Sequence, residues 1–179
     1  MITDKFKELV LYIARKSEGD PNFGAIKLNK LLFFSDFLCY RTFGTSITEA
    51  TYFKLPFGPA PRRLLPALHQ LEEADDCYQI ERNYFGKTQK RVLARRDPDL
   101  TLFSAAEISL VDEVIHILWD NDGREVSELS HRFIGWQAAS DQEDIPYETV
   151  FVGDPASAPL TDAEMEYGRQ LACELVEQA

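Results

Sequence analysis

Three histidines, three cysteines and several paired acids are the residues of this chain whose types could carry chemistry. His69, His116 and His131 do not cluster, and Cys39, Cys77 and Cys173 are widely separated and odd in number. Neither set has a metal-ligand spacing such as Cys-x-x-Cys, so no metal and no cofactor is expected. A nucleophile needs an orienting base beside it, and the order of residues singles out no Cys–His or Ser–His pair. Gly-rich phosphate loops, Gly-x-Ser-x-Gly elbows and His-Glu-x-x-His runs are missing. Glu72-Glu73 and Asp75-Asp76 read as a solvated face rather than a catalytic pair. His131, near Phe133 and Trp136, invites a general-base role, but a packed histidine that fixes a turn by hydrogen bonding is the plainer reading. The cysteines, set among apolar neighbours, read as buried free thiols in a reducing cytoplasm. The residues therefore describe a binding protein and not an enzyme.

Elements must still position those residues, and composition bounds them first. With 179 residues, 45% of them hydrophobic and 27% charged, the chain suits one globular domain with a sizeable core. No stretch is apolar enough to span a bilayer, and the first residues lack the layout of a secretory signal, so a cytoplasmic location with no membrane contact is expected. The net charge of −11 opposes non-specific nucleic-acid binding. That charge is uneven. From Asp141 onward ten acids face Arg169 alone, whereas residues 82–96 hold Arg82, Lys87, Lys90, Arg91, Arg95 and Arg96 and no acid. Such asymmetry suggests oriented contacts with a partner.

The element around which the rest is organised is a helix over Ala25–Phe43. Leu28, Leu31, Leu32, Ser35, Leu38 and Cys39 form one stripe, while Phe33, Phe37 and Tyr40 fall on the far side, so neighbours must pack on it from several directions. Before it, Phe6, Leu9, Val10 and Ile13 mark an amphipathic helix over residues 3–17. After Gly44, residues 46–55 suggest a short strand, and Gly58-Pro59-Ala60-Pro61 makes a rigid corner. A third helix starts between Pro61 and Pro66, with Leu64, Leu65, Leu68 and Leu71 on its buried face and acids 72–76 at its end. Residues 78–84 and 90–95 form a hairpin turning near Gly86. Ser104-Ala105-Ala106-Glu107 caps a fourth helix, with Ile108, Val111, Ile115 and Leu118 inward and Gly123 beyond its end. A shorter helix covers about Val126–Phe133, closed by Gly135, and Tyr147–Val152 is a candidate strand. A loop over 153–160 and an acidic helix opened by Thr161-Asp162-Ala163-Glu164 form an appendage. The expected class is α+β and mostly helical: a single domain over 1–179 of about six helices, a short strand and a β-hairpin, winged-helix-like in part.

The run Lys27-Leu28-Asn29-Lys30-Leu31-Leu32-Phe33-Phe34-Ser35-Asp36, then Gly44, then Phe57-Gly58-Pro59, resembles the Panacea domain of SocA-like antitoxins and phage-associated proteins. Ser127-Glu128-Leu129-Ser130-His131 with Trp136-Gln137-Ala138-Ala139 is similar to that family's later signature, and the likeness spans roughly residues 5–150. The resemblance implies an antitoxin of a toxin–antitoxin system, which neutralises a co-encoded toxin by direct binding. It leaves the toxin's identity open, and it allows delivery of a toxin to a protease and a homodimer. Neutralisation needs a complementary interface steered by charge. Lys27, Lys30, Asp36, Tyr52, Lys54 and Arg62 are the expected partner-binding residues, the alternative being that Lys27 and Lys30 solvate an edge and Asp36 satisfies a neighbouring backbone group; Gly58, Pro59, His131 and Trp136 are expected to be structural. The competing reading is a winged-helix DNA-binding transcriptional regulator, with Arg62, Arg63, His69 and Gln70 on a recognition helix and Arg82 to Arg96 in a wing. Overall charge and the acids at 72–76 weigh against it.

Overall fold

The computed structural model describes residues 2–152. The expected loop over 153–160 and the acidic helix after it lie outside the described residues. Helix α1 (Asp4–Lys16) opens where Thr3 Oγ1 accepts the Phe6 N–H at 3.2 Å. Helix α2 (Ala25–Phe43) stops at Gly44, whose φ of 74° continues no right-handed helix. It is central, as its composition requires. Leu28, Leu31, Leu32 and Cys39 enter a large core with α1 and the later elements. Phe33 and Phe37 enter a second cluster with Tyr52 and Ile145, edged by Phe133, Trp136 and Tyr147. Tyr40 stacks on Tyr147 with ring centroids 5.3 Å apart.

The strand expected over 46–55 shrinks to β1 (Tyr52–Phe53). Ile47 and Thr48 turn inward beneath α2, and Glu49 has φ 56°, which no strand accommodates. β1 pairs antiparallel with β2 (Ala60–Pro61) on one side and β5 (Asp144–Ile145) on the other. The Gly58-Pro59 corner is thus the turn between β1 and β2.

Helix α3 (Leu64–Glu73) turns Leu64, Leu68 and Leu71 inward, but Leu65 is 78% exposed. Its expected burial fails because successive helical residues point about 100° apart, and the stripe is already filled by Leu64. The hairpin joins β3 (Cys77–Tyr84) to β4 (Lys87–Ala94) through Phe85-Gly86. The acids that end α3 also find their reason here. Asp75 pairs with Arg95 at 2.9 Å, and Asp76 with Arg96 at 2.8 Å; Arg96 also reaches Glu8 at 2.6 Å. Helix followed by hairpin retains the winged-helix outline.

Helix α4 (Ala105–Ile117) follows a 3₁₀ turn over Leu100–Leu102 and has the expected Ser104/Glu107 capping box. Helix α5 (Gly123–His131) begins earlier than expected. Asp122 accepts the N–H groups of Arg124 and Glu125, and Glu125 returns a bond to the Asp122 N–H. Gly123, beyond the end of α4 as expected, is also the first residue of α5. Gly135 does not close a helix either: it lies inside α6 (Ile134–Ala138), where an added Cβ would stand 2.8 Å from Thr149 Cβ. Residues 147–151 form a 3₁₀ helix, not a strand, after Pro146, which offers no N–H to a ladder. The result is a mostly helical α+β fold with six α-helices among the described residues. No described helix is long and apolar enough to cross a membrane.

Candidate functional site

Three charged side chains of α2 point into the protein, and each fastens a different connecting segment. Lys27 Nζ lies 2.5 Å from Asp20 Oδ2 and donates to the carbonyls of Trp119 and Asn121 at 2.7 and 2.8 Å. Lys30 Nζ donates to the Pro59 carbonyl at 2.9 Å. The Asp36 carboxylate accepts the Thr48 N–H at 2.9 Å, the Thr48 hydroxyl at 2.5 Å and the Tyr52 hydroxyl at 2.7 Å. Lys27, Lys30, Asp36 and Tyr52 are all buried, so none of these four expected partner contacts is available to a partner in this fold. Burying a charged group is tolerable only when it is paired or hydrogen-bonded, which is the arrangement found. Lys54 and Arg62 remain nearer the surface. Lys54 Nζ donates to the Ala139 carbonyl at 2.8 Å and lies 4.5 Å from the Trp136 ring centroid. Arg62 pairs with Asp144 at 2.5 Å and donates to the Gln142 carbonyl at 2.6 Å.

These fastenings converge on the corner between β1 and β2. Trp136 Nε1 donates to the Leu55 carbonyl at 3.1 Å, Ser127 Oγ to the Phe57 carbonyl at 2.8 Å, and Lys30 Nζ to that of Pro59. The His131 ring faces the Pro56 carbonyl and stacks on Trp136 with centroids 4.0 Å apart. Gly58, at φ 98°, lets Lys30 and Ser130 approach its α-carbon: an added Cβ would lie 2.7 and 2.9 Å from Lys30 Cε and Nζ, and closer still to Ser130 Oγ. Gly58, Pro59, His131 and Trp136 thus all take part in holding one short segment still. What that segment displays is Phe57, 68% exposed between Pro56 and Gly58. Order alone carried a signal for it, since an aromatic flanked by proline and glycine seldom serves a core, but the grip by Ser127 had none.

Burial with no carboxylate beside it pushes the Lys30 amine down to about 7. Burial, followed by the nearby Lys30 charge, also holds His131 below its ordinary value. Lys30 binds its proton in the unfolded chain up to about pH 10.5 but releases it in the folded protein above about pH 7. The unfolded state then holds more protons, so stability rises with pH across that window. Between pH 7 and 8.5 the gain is about 1.5 kcal/mol. Urea unfolding at the two values should show it, and Lys30→Met should abolish the difference; an equal slope in that variant would assign the effect elsewhere.

Beside the corner opens a groove of about 860 Å³. Its walls are the first turns of α2 and α5, the Pro56-Phe57 side of the corner and the far half of the hairpin. Ile26 and Phe57 supply exposed apolar surface there, Lys87, Lys90 and Arg124 supply cations, and Asp122 and Glu128 supply acids, Glu128 lying 3.8 Å from Arg124. Tyr84 bonds to Asn22 and Gln89 to the Pro21 carbonyl, so the hairpin is tied to the α1–α2 connection. The cations expected to face a duplex are largely engaged within the fold. Arg91 is buried and donates to the Glu18 carbonyl at 2.9 Å. Arg95 and Arg96 pair with Asp75, Asp76 and Glu8, Arg62 with Asp144, and His69 lies 3.3 Å from Glu73.

Residues 28–137 match the family model described as antitoxin SocA-like, Panacea domain. The chain belongs to that family. Comparison with curated proteins and with solved structures returned no match. The matched stretch runs from α2 to α6 and so contains the corner, both sets of residues that grip it, and the hairpin. In this Panacea domain the charged residues of the α2 signature serve the fold from inside.

Proposed function

We propose that this Panacea domain is an antitoxin that neutralises a co-encoded toxin by direct protein–protein binding, through the groove bounded by the Phe57 corner. The carrying observation is the display of Phe57: an exposed aromatic on a segment whose carbonyls at 55, 57 and 59 are each bonded by a buried or half-buried side chain. An aromatic whose main chain is fixed before binding gives up less freedom on association, and exposed aromatics of this kind often dominate interface energetics. Ile26 widens the apolar surface, Lys87 and Lys90 line its hairpin wall with cations, and Asp122, Arg124 and Glu128 line its α5 wall with mixed charge. Membership of an antitoxin family supports a toxin as the partner.

The test is co-expression with the adjacent reading frame. Toxicity of that neighbour, relieved by this protein with recovery of a stable complex, is the expected result. Phe57→Ala should weaken the complex by about 2 kcal/mol or more while leaving the melting temperature within about a degree, because the ring is mostly in solvent. A harmless neighbour and no complex would refute the reading.

A further inference from the structure

The hairpin tip has a feature the fold does not need. β3 and β4 pair up to Tyr84 and Lys87, leaving Phe85-Gly86 as a two-residue turn. Both turn residues have positive φ, 46° at Phe85 and 76° at Gly86. Turns of this kind take asparagine, aspartate or glycine at the first position, because a bulky side chain is strained there. Phe85 nevertheless occupies it and is 90% exposed, and the ring contact found for it is an edge on Tyr84 at 4.8 Å. The turn around it is well fastened: Asn83 Oδ1 accepts the Gly86 N–H at 3.1 Å, and Tyr84 bonds to Asn22. A strained, solvated phenylalanine on a fixed turn stabilises nothing inside the protein. Strain kept at such a place points to use outside it.

The charge around the tip says what kind of surface it fits. From Arg82 to Lys90 the hairpin carries Arg82, Lys87 and Lys90 and no acid, in a chain of net charge −11. Lys90 has Glu81 3.7 Å away, while Arg82 and Lys87 are exposed. Resting on the antitoxin reading above, we infer that Phe85 is a second anchor, inserted into an apolar pocket ringed by carboxylates on the partner protein. Phe57 and the tip then grip the partner from two sides of the groove. A protein pocket suits this surface better than a duplex, because the leading group is an apolar ring and Arg91, Arg95 and Arg96 are committed within the fold.

Phe85→Asn separates the two roles the residue could have. Asparagine tolerates the positive φ, so the variant should melt about 2 °C higher than the parent. It should also bind the toxic product of the adjacent reading frame at least about 30-fold more weakly by titration calorimetry, and Lys87→Glu should weaken binding and flatten its salt dependence. A parent that binds that product beside a Phe85→Asn protein that binds it equally well overturns the inference and leaves the antitoxin reading standing. A lower melting temperature for Phe85→Asn would make the ring structural and also overturn it. Failure of the parent to bind removes both readings. Duplex DNA is the control probe: salt-dependent binding of a 20-base-pair duplex that Lys87→Glu abolishes would make the hairpin a nucleic-acid wing instead.

Discussion

Asp36→Ala should cost about 4 kcal/mol of folding stability, among the largest effects of any single side chain in the protein. The carboxylate is fully buried and its donors come from the chain that follows α2, among them three close ones: the N–H and hydroxyl of Thr48 and the hydroxyl of Tyr52. Alanine leaves all three without a partner in a place water does not reach, and it opens a void under α2. Burial pushes the Asp36 pKa up despite those donors, so the carboxylate itself is held at a cost and its worth lies in what it satisfies. Tyr52→Phe, which removes one donor and leaves the acceptor to the other two, should cost only about 1 kcal/mol. Urea denaturation followed by tryptophan fluorescence measures both. Asp36→Ala within 1 kcal/mol of the parent would mean the segment after α2 is held by its apolar contacts alone.

Gly58→Ala should be nearly as severe, at about 3 kcal/mol, and its harm is local. Two penalties add. A side chain at φ 98° is strained on its own, and its Cβ would press on Lys30 and Ser130, both buried. Neither neighbour can yield freely, since Lys30 is bonded to Pro59 and Ser130 to the Ser127 carbonyl. Relief would have to come from the corner moving away, which breaks the bonds to Leu55, Phe57 and Pro59 together and lets Phe57 wander. Ser130→Ala combined with Gly58→Ala should restore only part of the loss, because the strain in φ remains. Full recovery in the double variant would show that crowding, not backbone conformation, sets the requirement for glycine. Trp136, whose indole bonds to the corner, reports the displacement by its emission.

Much of the scaffold was legible in order alone. Helix α2 announced itself by apolar residues on every side and a glycine at its end, and Ser104/Glu107 marked the start of α4. The helix-plus-hairpin unit followed from the leucine stripe of α3 and the turn at Gly86. Leu65 misled because adjacent leucines of one helix cannot share a face, and the segment 147–151 because short apolar runs fit several conformations, among which only their neighbours decide. The site was harder to see. Lysine is almost never fully buried without partners, so Lys27 and Lys30 looked like surface, and the acceptors of Lys27 lie as far away as Trp119 and Asn121; for Asp36 the sequence offered a neighbouring backbone group as partner, and Thr48 N–H is that group. Asp75 and Asp76, read as part of a solvated face, gained partners only when folding set Arg95 and Arg96 beside them. The groove is assembled from the starts of two helices, a corner and a hairpin, which no single stretch contains.

The tethered corner has a practical side for protein engineering. Its geometry is imposed by Trp136, Ser127 and Lys30 acting on main-chain carbonyls, and carbonyls are common to every residue type. The ring of Phe57 plays no part in that hold. Position 57 can therefore be randomised in a display library without redesigning anything beneath. A chassis of this sort accepts new specificities by exchanging a few outward-facing groups while its interior stays untouched.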